Sequence, residues 1–244
     1  MYKNHRGDLM IILNFNKKTL WTILILIIGL ILIFSLLRFY KTDETFNMDI
    51  YYKGNVDKKV VAFACNVDWG NEYIEPMLKV FKDNNIKISF FVTGKWAEKN
   101  PEMLKIIFEN GHEIGNHGYN HIDYDKLSYE QNTEEISKTH IIIKNVLNYE
   151  SKLFAPPSGA YNDNTIRAAK DLDYDIIMWS IDTIDWRDDS YKDIIIKRVI
   201  DKIHNSAIVL MHPTEETLKA LPEIILYLNN NGYKIGKVSD IIKP

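Results

Sequence analysis

From Lys58 to the end of the chain, short apolar runs rich in β-forming residues alternate with amphipathic stretches of helical period. The runs predicted as strands are Val60–Asn66, Ile88–Val92, His112–Asn116, Lys152–Phe154, Asp175–Trp179, Ala207–Met211 and Lys234–Lys237. Strands separated by helices pair in parallel through right-handed crossovers. Seven such units are too few for an eight-fold barrel. The alternation therefore predicts an α/β fold, a distorted (β/α)7 barrel, with a doubly wound open sheet as the alternative.

The first predicted strand has two different faces, because successive side chains of a strand point to opposite sides. One face carries Val61, Phe63 and Cys65, and the other carries Ala62, Ala64, Asn66 and, just beyond the strand, Asp68. Small residues fit the crowded interior of a barrel, whereas large apolar ones face the surrounding helices. We therefore expect Asn66 and Asp68 at the barrel mouth and Cys65 in the outer core.

The N-terminal part of the chain carries an uncharged run of 19 residues, from Thr19 to Leu37. As a helix it spans about 28 Å, close to the thickness of a hydrocarbon core. Lys17 and Lys18 precede it, which predicts a cytoplasmic N-terminus, and no small-residue cleavage pattern follows it. The predicted parts are a cytoplasmic segment at 1–18, a single-pass signal-anchor at 19–40, a tether at 41–57 and an extracytoplasmic domain at 58–244.

Composition excludes two further classes of protein. The formal net charge is -3, from 30 basic and 33 acidic residues, which gives no basis for a nucleic-acid partner. Cys65 is the single cysteine of the chain, so a disulfide framework and a cysteine-rich zinc module are both ruled out.

Polar side chains recur directly after the predicted strands, where barrel enzymes place their chemistry. They are Asn66 and Asp68, His117 and His121, Pro157 with its flanking turn, Asp182 and Asp185 with Trp186, and His212. His117 and His121 are four residues apart, a spacing that lets two imidazoles share one helical face and bind one divalent metal. Taken singly, these histidines are equally compatible with structural roles, and the two aspartates with a capped turn.

Several stretches together resemble the NodB-homology polysaccharide deacetylases, carbohydrate esterase family 4, over about residues 58–244. They are Ser89–His121 (SFFVTGKWAEKNPEMLKIIFENGHEIGNHGYNH), Ala155–Asn162 (APPSGAYN), Trp179–Trp186 (WSIDTIDW) and Ile208–Pro213 (IVLMHP). The stretch Asn66–Tyr73 and the apolar run are similar to the sporulation-type subgroup of spore-forming Gram-positive bacteria. The resemblance implies hydrolysis of an acetamide C–N bond in cell-wall or spore-wall polysaccharide of the peptidoglycan type.

The resemblance also implies roles for individual residues. A divalent metal, usually zinc, polarises the acetamide carbonyl and acidifies a bound water, while an aspartate acts as general base and a histidine as general acid. By position, His117 and His121 are the implied metal ligands, and His212 is the general acid, oriented by Asp182. The implied substrate contacts are Trp186, Tyr161, Pro157 and Asp185.

Two motifs depart from the family pattern. The family's first motif, T-F-D-D-G, supplies base and metal ligand side by side. Alignment on the strand puts Asn66 at the base and Val67 at the ligand, whereas alignment on the glycine puts Asp68 at the base and Trp69 at the ligand. The arginine that usually opens the third motif is replaced by Ala155.

Three outcomes follow from these departures. Asp68 completes the metal site while another carboxylate, such as Asp185, acts as base. Alternatively, Asp68 is the base and the metal is bound by two histidines and water. In the third outcome the site is chemically silent and the domain, still tethered to the membrane, only binds glycan.

Overall fold

The computed structural model describes residues 16–40, 50–56 and 58–242, with side chains of the first range described as far as Ile33. The chain divides into two compact units, Met1–Asn47 and Met48–Pro244. The first unit contains helix α1, Lys17–Tyr40, where Asn16 Oδ1 accepts a hydrogen bond from the Thr19 amide at 2.9 Å. Over the described side chains, no helix combines the length and the apolar character needed to cross a membrane. Residues 1–15 and 41–49 of the predicted segments lie outside the described residues.

The second unit is built on one parallel sheet. Its strands are β1 Ile50–Tyr51, β2 Val60–Val67, β3 Ser89–Val92, β4 Glu113–Asn116, β5 Leu153–Phe154, β6 Asp175–Ile177, β7 Ile181–Asp182, β8 Ile208–Met211 and β9 Lys234–Gly236. Their order is β1-β6-β5-β4-β3-β2-β8-β7, and β9 also pairs with β2. Every pair of named strands is parallel.

Helices alternate with the strands along the second unit. They are α2 Asn71–Asp83, α3 Gly94–Lys99, α4 Pro101–Glu109, α5 Tyr129–Leu147, α6 Asp163–Asp171, α7 Lys192–Ile200 and α8 Glu215–Asn230. Several begin immediately after a strand or rim loop because a polar side chain caps their first amides. Thr93 caps α3, Asn162 caps α6 and Thr214 caps α8. Short connections of this kind keep the residues that follow each strand at one edge of the sheet.

The strand–helix alternation predicted from the sequence is confirmed, and each predicted strand has a counterpart. The sheet is a curled half-barrel: among the described strands, no pairing joins β7 to β1, so it does not close. Strand β7 and helix α3 were not predicted. Strand β7 has 2 residues and helix α3 has 6, so neither covers two periods of its hydrophobic pattern. Hydrophobic periodicity therefore carries little signal for either element.

The core confirms the two faces of β2. Val61, Phe63 and Cys65 are fully buried in the outer cluster, together with apolar residues of α2 and α8. Ala62 and Ala64 belong to a separate inner cluster. This alternation leaves Asn66 and Asp68 on the inner side of the sheet's carboxyl edge.

Candidate functional site

The carboxyl ends of the strands surround a cavity of about 410 Å³. Seven residues predicted for the site line it: Asn66, Asp68, His117, His121, Asp182, Trp186 and His212. The rest of the lining is Trp69, Ser158, Trp179 and Leu210. The geometry therefore brings together residues from the carboxyl ends of six strands, β2 and β4 to β8, and from the loops that follow them.

Strand β2 delivers Asn66 to the floor of this cavity. The side chain is only 5% exposed, and its Oδ1 has no hydrogen-bond partner among the described residues. Val67, the next residue, is fully buried on the opposite face, in the outer cluster. Asp68 is exposed at the rim, and its Oδ1 accepts a hydrogen bond from the Thr93 hydroxyl at 2.7 Å. The strand thus presents one amide and one carboxylate to the cavity instead of adjacent carboxylates.

His117 follows β4 and is 1% exposed. Its Nδ1 lies 2.7 Å from the carbonyl oxygen of Ala155, which can only accept, so Nδ1 donates and Nε2 keeps a lone pair. Burial, and then the neighbouring His121, lower the pKa of His117 to about 3. Its ring centroid is 5.1 Å from that of His121. The ring is therefore neutral and fixed in one tautomer at neutral pH.

The loop that carries His121 is fastened to helix α5 by a carboxylate. Glu135 accepts hydrogen bonds from the amides of Tyr119 and Asn120, at 3.1 and 2.8 Å, and from Asn120 Nδ2 at 2.7 Å. His121 itself adopts a left-handed backbone conformation with φ of 54°. The sequence did not predict this contact of Glu135. Its spacing in an amphipathic helix gave no signal for a loop contact.

His212 follows β8 and is held by Asp185. Its Nδ1 lies 2.7 Å from Asp185 Oδ1, and its amide donates to Asp185 Oδ2 at 2.7 Å. The Thr217 hydroxyl also donates to that carboxylate. The Asp185 side chain is completely buried, whereas the His212 side chain is 15% exposed. The Trp69 ring lies nearly parallel to the imidazole, at 5° and 6.1 Å between centroids.

The predicted partner of His212, Asp182, is replaced in that role by Asp185. Asp182 Oδ1 instead accepts a hydrogen bond from the Ile184 amide at 2.7 Å. Ile184 has φ of 53°, which is unfavourable for a β-branched residue, so the aspartate stabilises a tight turn. The turn redirects the chain, so that Asp185, three residues after Asp182, lies within hydrogen-bond distance of His212. Asp182 still lines the cavity.

Three of the four predicted substrate contacts, Tyr161, Pro157 and Asp185, lie outside the lining of this cavity, and Asp185 instead pairs with His212. The Tyr161 hydroxyl forms a hydrogen bond with the hydroxyl of Tyr52 at 2.8 Å. Pro157 is buried in a short 3₁₀ turn at Pro157–Gly159. Conversely, the sequence analysis missed Trp69 and Trp179 as lining residues. Both follow the carboxyl end of a strand, and that rule applied to aromatic residues could have found them.

The described residues do not fit the metal site that the family resemblance implies. His117 and His121 offer two imidazoles, but Val67 faces the outer core and Asp68 is engaged by Thr93. Among the described residues, no group of three or more His, Cys, Asp or Glu side chains is arranged to hold a metal ion. Structural and catalytic zinc sites use at least three protein ligands. We therefore derive no chemical step through a metal.

The comparison with protein families matches residues 53–177 to the model described as "Polysaccharide deacetylase". The chain belongs to the polysaccharide deacetylase family, which also includes the peptidoglycan deacetylases found among its relatives. The deacetylases of this family are generally metal-dependent.

Two curated relatives illustrate the range of the family. YlxY, an uncharacterized protein of Bacillus subtilis (strain 168), is 40% identical over 199 residues, which cover 82% of this chain and 62% of that protein. The chain thus spans about three fifths of YlxY. A peptidoglycan-N-acetylglucosamine deacetylase of Bacillus cereus is 31% identical over 186 residues, covering 74% of this chain and 67% of that enzyme.

A solved structure with the same fold is BA3943, a CE4 family pseudoenzyme from Bacillus anthracis. It is 38% identical, with a TM-score of 0.78 over 81% of this chain and 70% of that chain. A BA3943 mutant described as having restored enzymatic activity matches with the same TM-score and 36% identity.

Proposed function

We propose that this chain binds cell-wall polysaccharide of the peptidoglycan type in the cavity and does not hydrolyse its acetamide groups. One observation carries the proposal: the buried side chain at the floor of the cavity is the amide of Asn66. An amide does not accept a proton from water at neutral pH, so it cannot act as a general base.

The surroundings of Asn66 support the same conclusion. Ala155 provides a backbone carbonyl for His117 but no cationic side chain to balance a buried carboxylate. An isolated buried charge is costly, so the missing acid and the missing cation are consistent with each other. The similarity to the BA3943 pseudoenzyme adds support from a relative of the same fold.

Aromatic side chains support a polysaccharide ligand. Trp69 is 45% exposed and Trp186 is 58% exposed, and both line the cavity. Exposed tryptophans of this kind provide flat apolar faces on which a pyranose ring can stack, as they do at other binding sites.

The experiment measures binding and hydrolysis with the same protein. The full-length chain is incubated with purified peptidoglycan, with and without added zinc, cobalt or nickel, and bound protein and released acetate are quantified. We expect co-sedimentation with the wall and no acetate. The matched variant Asn66→Asp/Ala155→Arg restores the acid and its cation. Acetate release by the natural chain that is abolished in His117→Ala would overturn the proposal.

Metal-dependent deacetylation is the second candidate, and the hydrogen-bonded His212–Asp185 pair favours it. A carboxylate that fixes an imidazole is the usual arrangement for a histidine that donates a proton. In this candidate, His117, His121 and Asp68 would hold zinc, which would supply the Lewis acid for the acetamide carbonyl, and Asp68 would first have to lose its hydrogen bond to Thr93. Acetate release in the preceding experiment, dependent on added metal and lost in Asp68→Asn, would favour this candidate.

We further propose that residues 19–40 anchor the chain in the cell membrane, with residues 58–244 outside the cytoplasm. The support is the uncharged run and its flanking lysines. A chain lacking residues 1–40 is expected in the soluble fraction, whereas the full chain sediments with membranes and is cleaved by protease added to intact protoplasts. Resistance to that protease would contradict the proposed orientation.

A further inference from the structure

We infer that the cavity selects sugar units bearing a free amine, the de-N-acetylated 2-amino-2-deoxy sugars, over their N-acetylated forms. The inference rests on the proposed function, because it names the ligand chemistry of the same cavity. Its basis is a set of anionic and hydrogen-bond-accepting groups that an ammonium satisfies and an acetamide does not.

The carboxylates that line the cavity are not matched by any lysine or arginine in its described lining. Asp68 and Asp182 both face the cavity. Each carboxylate has one oxygen bonded to a neutral donor, the Thr93 hydroxyl or the Ile184 amide. Neither takes part in an ion pair with any described residue. Three histidines also line the cavity; His117 is buried and neutral, and His212 is already paired with the buried Asp185, so neither balances these two charges.

Asn66 adds an independent sign of a missing ligand. It is 95% buried at the cavity floor, and its Oδ1 has no partner in the part of the chain that the structure covers. A buried acceptor without a donor costs about 1–3 kcal/mol. His117, which lines the same cavity, offers a second acceptor in Nε2, whose lone pair is fixed because Nδ1 donates to Ala155.

An ammonium matches this environment better than an acetamide. It donates three hydrogen bonds and accepts none, so it can serve carboxylate, amide and imidazole acceptors together. The exposed faces of Trp69 and Trp186 add a cation–π attraction for the same group while they stack on the sugar ring. An acetamide is uncharged and offers a single N–H, which leaves the two aspartates without a counter-charge.

The test compares two tetrasaccharides with the same β-1,4 backbone, tetra-N-acetylchitotetraose and its fully de-N-acetylated form. Dissociation constants are measured calorimetrically with the full-length chain in detergent, in the presence of EDTA. We expect the amine form to bind about tenfold more tightly or better, a ratio typical of one charge-assisted contact, and to weaken with added salt.

Two variants with the same change of charge identify the site. Asp182→Asn is expected to remove most of the preference for the amine form. Glu223→Gln, on the exposed side of α8 and in no ion pair among the described residues, is expected to keep it. Thermal unfolding of both variants checks that the fold is retained.

Each outcome decides one question. Equal binding of the two tetrasaccharides, or tighter binding of the acetylated one, overturns the inference and leaves the proposed function standing. A preference that survives Asp182→Asn, or that needs added zinc, also overturns it. Failure of both sugars and of intact peptidoglycan to bind overturns the proposed function itself.

Discussion

At the scale of single residues, the site depends on which of two aspartates reaches His212. Asp182 and Asp185 are three residues apart, and by sequence either one is suited to stabilise a turn or to pair with a histidine. The structure gives Asp185 three donors, the His212 amide, the His212 ring and the Thr217 hydroxyl, and buries it completely. Asp182 is occupied by the amide of Ile184. The two carboxylates therefore differ in what they contribute to stability.

We predict that Asp185→Asn lowers the free energy of unfolding by about 2 kcal/mol, because a buried charge-assisted network loses its acceptor charge. Asp182→Asn serves as the matched control, since an asparagine Oδ1 still accepts from Ile184. Its effect should stay within about 0.5 kcal/mol. Urea denaturation at pH 7 measures both. Equal losses in the two variants would contradict the assignment of Asp185 as the partner of His212.

At the scale of elements, the turn between β2 and α2 positions Asp68 and Trp69. Gly70 closes this turn with φ of 81°, in the left-handed region. A Cβ at this position would lie 2.1 Å from the carbonyl oxygen of Pro213, in the loop that follows His212. Two rim loops therefore approach each other so closely that only glycine fits between them. This contact joins the β2 side of the cavity to the β8 side.

Gly70→Ala is expected to destabilise the chain by about 3 kcal/mol or more, because backbone strain and a clash with backbone act together. Gly232→Ala separates the two causes. Gly232 has φ of 76°, but its nearest neighbour is Lys59 Cδ at 3.9 Å. That control should lose only about 1–2 kcal/mol, from strain alone. Chemical denaturation compares the two, and a smaller loss at Gly70 than at Gly232 would contradict the close approach.

At the scale of the whole molecule, burial in the core links stability to pH. His112, directly before β4, is 3% exposed and packs against the rings of Phe81 and Phe90, at 5.8 and 5.2 Å between centroids. Its Nδ1 accepts a hydrogen bond from the Ile88 amide at 3.1 Å and is therefore unprotonated. Burial, and then the charge of Lys87, lower the pKa of His112 from 6.5 to about 4.

The sign of the pH effect follows from this lowered pKa. The unfolded chain binds a proton at this position near pH 6.5 and the folded chain only near pH 4. The contribution of His112 to the free energy of unfolding is therefore complete above about pH 6.5 and is lost as the pH falls from there towards pH 4. We predict that between pH 7 and 5 the natural chain loses about 2 kcal/mol more than His112→Asn. Identical losses in urea titrations at the two pH values would contradict the prediction.

Much of the fold was determined by the sequence alone. Alternation of period-2 and period-3.6 patterns is a local property, and it specified the parallel sheet and every strand long enough to show a pattern. The edge that carries the site also followed, because residues after parallel strands meet on one side. The faces of β2, with Asn66 and Asp68 inward and Cys65 outward, needed only the alternation of a strand.

The tertiary structure alone decided the contacts that depend on turn geometry. The turn at Ile184 gives Asp185 rather than Asp182 to His212, and the loop after β4 gives Glu135 a role in placing His121. Closure of the sheet was also undecided, since it depends on pairing between its first and last strands. The physical reason is common to all three: such contacts join residues far apart in sequence, and small changes in a few backbone dihedrals move their side chains by several ångströms.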